Sequence, residues 1–410
     1  MRKLLFIAVL LPILAGLGWW YFREQALPDY GPLYREYAYV TNGKSNTVSV
    51  IDVRTFALAK TIPVGSEPTG VAANSRKNEI YVVNTGSNNV SVINAESNTV
   101  VATIGVHGRP YFIDVAEDGK RAYVANSGSA NVSVIDLDQR IVIGNVRVGA
   151  APGLARVSPD GSTVVVSNRG DNTVSLIDAK LLRVRATLPV CQQPEEIAIL
   201  PDSSKAFVAC SGSSQVASIQ LAKQDTPDTQ GAGLQTSEAQ RSGVRNNDRV
   251  LALLDVGRTP VNLALKPDGG ELMVCNFDSD SISIIETGND EVGSSLEIGQ
   301  HPSRGAVTLD NSRLYVTNFG SNSVAVYDID IGRRIATLTV GSRPDGLALT
   351  PDQNYLLVLD SQSGDVTVIQ KRKARTLEPT EYSLLTLIPV GMQPNAIVVK
   401  AFMLSAGKKK

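Results

Sequence analysis

One spacing governs what this chain can fold into. A tetrapeptide of the form YVTN begins at residues 39, 81, 123, 165, 207, 273, 315 and 357, so that every step is 42 residues except one of 66. A second marker, of the form VGxxP, begins at 64, 106, 148, 190, 256, 298, 340 and 390. Both occur eight times. Self-similarity at such a period means that one supersecondary unit is repeated and that each copy buries its apolar face against the next.

Within one period the pattern predicts four strands, a to d. Strand a follows the marker proline (GVAAN, residues 70–74), and a PDG-type turn follows it, as at Pro159–Gly161 and Pro267–Gly269. Strand b is the YVxN run, strand c the TVSVID run (47–52), and strand d the run leading into the VG marker. Four short strands with repeated reversals fit a propeller blade better than a solenoid coil. The first YVTN has no strand a before it, and the last VGMQP is followed by a lone a-like strand, Asn395–Lys400. That strand is expected to complete the first blade and remove two sheet edges. The fold class is therefore all-β: an eight-bladed β-propeller of four-stranded antiparallel blades over residues 37–400, closed by the C-terminal strand, with an N-terminal transmembrane helix. Residues 401–410 form a basic tail.

The transmembrane expectation rests on LLFIAVLLPILAGLGWWYF, which follows Met1–Lys3 without a charge and is long enough to span a bilayer. Arg2 and Lys3 place its start inside, Trp19, Trp20 and Tyr21 suit the outer interface, and the bulky end argues against cleavage. Residues 1–22 are read as an uncleaved signal-anchor and 23–36 as a linker. The propeller is then expected in the periplasm or extracellular space, tethered by a single pass.

The stretch from about 37 to 400 resembles the YVTN-type β-propeller repeat proteins, through YVTN at 39 and 315, TVSVID at 47–52 and the VGxxP marker. The resemblance implies the fold; family members are functionally diverse, and many have seven blades where this sequence gives eight. More distantly it is similar to eight-bladed haem-d1-binding propeller domains. That likeness implies, as an alternative, a tetrapyrrole (d1-haem-type) or other cofactor. A lactonase-like hydrolase is a third possibility, for which two histidines leave few metal-ligand options.

Strand polarity puts the b–c and d–a loops on one rim, the top, and the a–b turns and c–d loops on the other. Two insertions fall in c–d loops. One (222–249) is polar, poor in bulky apolar residues and expected to be disordered; the other opens with the basic KRKAR (371–375). That run is either a solvated charge cluster or a contact with anionic lipid at the anchored face. The top face is left as the place for a protein partner or small ligand.

Departures from the repeat mark candidate residues. Counting from the marker proline, the third and fifth residues of strand a are expected inside the blade and the second and fourth toward the channel. The fourth is Ala or Val except at Asp114 and Arg156, a candidate channel ion pair. The second is Gly70, Phe112, Leu154, Glu196, Asn262, Arg304, Gly346 and Ala396. The chain's two histidines, His107 and His301, precede the third and seventh blades and are expected to face each other across the axis. Arg109, Arg258, Arg304 and Arg343 gather near the upper rim, able to hold carboxylates. The candidate ligand-binding set is accordingly His107, Arg109, Phe112, Glu196, Arg258, Asn262, His301, Arg304 and Arg343. Cys191 replaces the marker Gly and Cys210 the strand-b Asn of the fifth blade, making a candidate disulfide; Cys275 reads as a small core residue. The repeated Asn residues are read as architectural, bonding the backbone two residues on.

A net charge of −1 argues against nucleic acid recruited by bulk electrostatics, and the chain carries no HExxH, CxxC, P-loop or nucleophile elbow. No catalytic residue and no metal site is assigned. The leading expectation is a monomeric binding or assembly scaffold rather than an enzyme.

Overall fold

The computed structural model describes residues 31–222, 247–372 and 381–404. The expected transmembrane segment, residues 23–30 of the linker, the body of the polar insertion, KRKAR beyond residue 372 and the end of the basic tail lie outside the described residues. The chain divides into two compact units, residues 36–400 and a small one made from residues up to 35 with those from 401 onward. In the small unit the Leu404 N–H donates to the Leu33 carbonyl at 2.9 Å.

Residues 36–400 form an eight-bladed propeller of four-stranded antiparallel sheets, each in the order d-c-b-a. The closing strand Pro394–Met403 is strand a of blade 1, beside Tyr34–Asn42, Thr47–Asp52 and Ala57–Pro63. The last strand therefore completes the first blade. The seam is pinned to blade 2 by Asn395 Nδ2 on the Pro68 carbonyl (2.9 Å) and by buried Lys400 Nζ on the Asn74 carbonyl. It is closed toward blade 8 by an apolar cluster joining Ala38, Val40 and Ile51 to Tyr355, Leu357 and Leu359. The repeat's first letter supplies the largest core groups: Tyr39, Tyr81, Tyr123 and Tyr315 are all fully buried.

Every c–d pairing carries a register shift at the same place, for example between Val92 and Ile93 and between Val368 and Ile369. Such a bulge twists the outermost strand and spoils it as a template for another chain.

The two sequence markers turn out to be one contact. The strand-b Asn does not bond the backbone two residues on, as its turn-like setting suggested. It ends the strand opposite strand c, so its Nδ2 donates instead to side chains five and seven residues on: Asn42 to Thr47 and Ser49 (3.1 and 3.0 Å), Asn168 to Thr173 and Ser175 (3.0 and 2.9 Å). The left-handed residue of that loop comes four later, at Asn46, Asn88, Asn172 and their equivalents. The Asn side chain also fills the space over the marker glycine of the preceding d–a loop. A Cβ on Gly149 would lie 2.6 Å from Asn168, and one on Gly391 2.6 Å from Asn42. Gly149→Ala is therefore expected to cost about 1–3 kcal/mol by overpacking. Gly105→Ala, where a Cβ meets nothing within 4 Å, is expected to stay within about 0.5 kcal/mol. Urea denaturation midpoints of the two variants compare them directly.

Candidate functional site

The eight a-strands line the channel, and the repeat fixes what each offers. Small residues stand at the second or fourth position in most blades, so the few large ones meet. Those strands are Pro110–Val115 in blade 3, Pro152–Val157 in blade 4, Pro194–Ile199 in blade 5, Pro260–Leu265 in blade 6 and Pro302–Val307 in blade 7. At the top the channel opens into a cavity of about 650 Å³ reached by all eight inner strands and by Arg169 from a b–c loop. A second cavity of about 410 Å³ runs from the same network down to Pro159 in an a–b turn. Arg156, Glu196, Asn262 and Arg304 border both, so they form the floor of the upper mouth. Third-position residues such as Val71 and Ile113 also border the mouth, because an innermost strand exposes both of its faces at the channel edge.

On that floor Glu196 is shared by two guanidiniums. Arg156 Nη2 donates to its Oε1 at 3.0 Å and Arg304 Nη1 to its Oε2 at 2.8 Å, the latter reaching from blade 7 to blade 5. The carboxylate side chain is only 8% exposed, whereas that of Arg304 is 43% exposed. Burial pushes the Glu196 carboxyl up, but the charges and hydrogen bonds of Arg156 and Arg304 outweigh it and hold the group below the usual carboxylate range. Burial opposes the Arg156 and Arg304 charges, yet Glu196, with Asp114 and Asp345 respectively, raises both above their ordinary values. The expected Asp114–Arg156 pair is present only at 4.0 Å; Glu196 is the nearer partner. Asp114 instead accepts the Val157 N–H at 3.0 Å, and burial, against the pull of Arg156, raises its carboxyl.

Aromatic rings flank this floor. The Arg156 guanidinium lies 4.5 Å over Phe112, and that of Arg169 4.8 Å over the exposed Tyr111 ring. Asn262 accepts the Gly305 N–H at 2.8 Å. Of the candidate set, then, Phe112, Glu196, Asn262 and Arg304 come together at the channel. The rest stand apart from the cavity. His107 Nδ1 lies 2.6 Å from Asn131 Nδ2, while His301 packs on Phe277 with ring centroids 4.6 Å apart. The two histidines thus have different surroundings, and neither borders the mouth. Arg258 donates to the Asp278 carbonyl at 2.7 Å, Arg343 lies 5.4 Å over Phe319, and Arg109 is exposed. Tyr111, Arg169 and Asp345 were not singled out from the sequence. For Arg169 a signal was available: it is the one charged residue to follow strand b, where the other copies carry Gly43, Thr85, Ser127, Ser211, Phe277, Phe319 and Ser361.

Blade 5 differs in one more way. Cys191 and Cys210 form a disulfide, with Cα atoms 5.6 Å apart. They occupy the places of the marker glycine and strand-b asparagine, the pair that touches in blades 1, 2, 4, 6 and 7. Cys275 is free and buried, and burial pushes its thiol up to about 12.

Two family descriptions match parts of the sequence: a YNCE-like β-propeller over residues 20–159 and a seven-bladed lactonase propeller over residues 296–390. The chain is a β-propeller repeat protein. No curated protein matches this propeller's sequence. Among solved structures it is similar to hydrazine synthase of Kuenenia stuttgartiensis (21% identity, TM-score 0.53, covering 71% of this chain and 91% of that one). It is similar also to a functionally unknown protein from Desulfotomaculum acetoxidans DSM 771 (15%, 0.56, 76% and 98%). A third is the dihydro-heme d1 dehydrogenase NirN in complex with DHE (14%, 0.66, 88% and 74%). At these identities the likeness shows the fold alone, and the propeller's own site carries the functional argument.

Proposed function

We propose that this protein is a membrane-tethered, extracytoplasmic propeller that acts as a binding or assembly scaffold, and that its top mouth receives a carboxylate group of a partner or small ligand. The observation that carries this reading is the Arg156–Glu196–Arg304 row on the floor of the mouth, with both arginine side chains partly exposed and two guanidinium-capped aromatic rings beside it. Guanidiniums recognise carboxylates through paired, charge-assisted hydrogen bonds, and their aromatic neighbours add a surface for the ligand's body. The tether is supported by the uncharged N-terminal sequence, and an oxidising compartment agrees with the Cys191–Cys210 disulfide. Calorimetric titration of the full-length protein with citrate tests the site. Arg304→Ala is expected to weaken binding by about tenfold or more, roughly the 1.5–3 kcal/mol of a charged hydrogen bond. Citrate binding that ignores this substitution sinks the reading.

The alternative, a tetrapyrrole ligand, draws support from the same guanidinium–aromatic stacks, which suit a planar acid, and from the fold shared with NirN. It predicts a Soret shift on adding haemin that is lost in Tyr111→Ala or Phe112→Ala. Haemin absorbance unaltered by the protein removes it.

A further inference from the structure

The disulfide and the bridging carboxylate belong to the same short segment. In blade 5 the inner strand pairs Pro194 with Cys210 and next pairs Ile197 with Val208, so Glu195 and Glu196 have no cross-strand partner. Glu196 therefore stands on a two-residue break in the ladder. One end of that break is fixed by the sheet at Ile197. The other end is fixed by the d–a loop, three residues after Cys191. The loop's backbone bonds, Ser211 N–H to the Gln193 carbonyl and Gly212 N–H to the Gln192 carbonyl (both 3.1 Å), have counterparts in the other blades. What blade 5 adds is the covalent link from Cys191 to Cys210.

We propose that this disulfide is a positioning element for Glu196, and that it sets how strongly the mouth takes a carboxylate ligand. The proposal rests on the mouth being a carboxylate site. Glu196 already occupies the two guanidiniums a ligand carboxylate would use, so it is the resident competitor. While the sulfurs are joined, the loop is fixed to strand b and Glu196 is held on Arg156 and Arg304. A dithiol opens the link: it gives two electrons and two protons, the S–S bond becomes two thiols, and the dithiol closes to its own disulfide. The break at Glu195–Glu196 then has one end held by strand pairing and the loop's hydrogen bonds alone, without the cross-link. Glu196 leaves the guanidiniums at lower cost, and an external carboxylate replaces it.

The repeat supplies its own control. Cys191→Gly with Cys210→Asn installs the pair that other blades use at this place, so the variant keeps a blade-compatible contact without the covalent link. Citrate is titrated into the full-length protein, oxidised and dithiol-reduced, with thiol state checked by alkylation and intact mass. The reduced protein is expected to bind citrate about tenfold more tightly than the oxidised one, a difference of about 1.4 kcal/mol. The Gly/Asn variant is expected to match the reduced protein and to ignore the dithiol. Equal affinities in the oxidised, reduced and Gly/Asn proteins, with binding still lost in Arg304→Ala, overturn the positioning role and leave the carboxylate site standing. No citrate binding in any form overturns both.

Discussion

Arg185→Ala is expected to destabilise the protein by about 3–5 kcal/mol, the usual cost of stranding a buried charge. Arg185 sits at the bulge of strand d in blade 4 (Arg183–Pro189), where its Nε and Nη2 grip Asp248 at 2.7 and 2.9 Å. Asp248 has a side-chain exposure of 0% and Arg185 of 13%, so water cannot replace the lost partner. The Asp248 carboxylate also accepts the Ala222 N–H at 2.7 Å, and Arg185 Nη1 donates to Thr163. The pair therefore binds both described ends of the blade 5 insertion to the neighbouring blade. The partner substitution Asp248→Ala is expected to cost a similar amount. The double variant should cost clearly less than the two singles added, because neither charge is then left alone. Guanidinium unfolding of the four proteins measures the coupling, and additive losses would mean that the pair does not act as a unit.

The second large effect is a pH dependence. In blade 8 the strand-b asparagine is replaced by Asp360, and the residue opposite it on strand c is Asp365. Where blades 1 to 4 and 6 place an amide donor between two hydroxyl or amide acceptors, this one places two carboxyls, with Thr367 donating to Asp360 at 2.6 Å. Burial first, against the help of the Thr367 hydroxyl, and then the hydrogen bond and charge of Asp365 push the Asp360 carboxyl up to about 8. A proton on Asp360 relieves the repulsion between the two carboxyls. The folded protein thus keeps a proton that the unfolded chain releases near pH 4. Stability falls as pH rises from about 4 to about 8, by up to about 1.4 kcal/mol per pH unit, and levels off above that. Asp360→Asn restores the donor of the other blades and removes this slope. The variant is expected to be the more stable protein at pH 8, with the gap closing toward pH 4. Melting curves from pH 4 to 9 read this directly; parallel profiles for the two proteins count against it.

The fold was legible because a period is a global property that local errors cannot disturb. The count of eight and the closing role of Asn395–Lys400 came from the order of markers alone. The site was legible only where neighbours in the repeat are neighbours in space. Asp114 and Arg156 belong to adjacent blades and were paired on paper. Glu196 and Arg304 are separated by 108 positions and an intervening blade, so nothing in the local pattern joins them. The histidines show the opposite error. Symmetry set His107 and His301 four blades apart, but their offsets in the loop send one to Asn131 and the other to Phe277. The disulfide was readable in principle. Once the marker glycine is known to lie under the strand-b asparagine, a cysteine at both places in one blade has little else to do.

Closure by the final strand makes the ring a check on its own completeness. Strand b of blade 1 waits for a partner supplied some 350 residues later, as the Met392 N–H on Ser45 Oγ across a sequence separation of 347 illustrates. Such distant pairing forms late, after the local hairpins of each blade. Until then the chain is an open arc with two bare β edges, the state that proteases and holding chaperones act on. A chain that stops before Pro394 keeps every other described strand, yet is left in that open state. The arrangement turns a missing tail into a defect that is visible from outside the molecule.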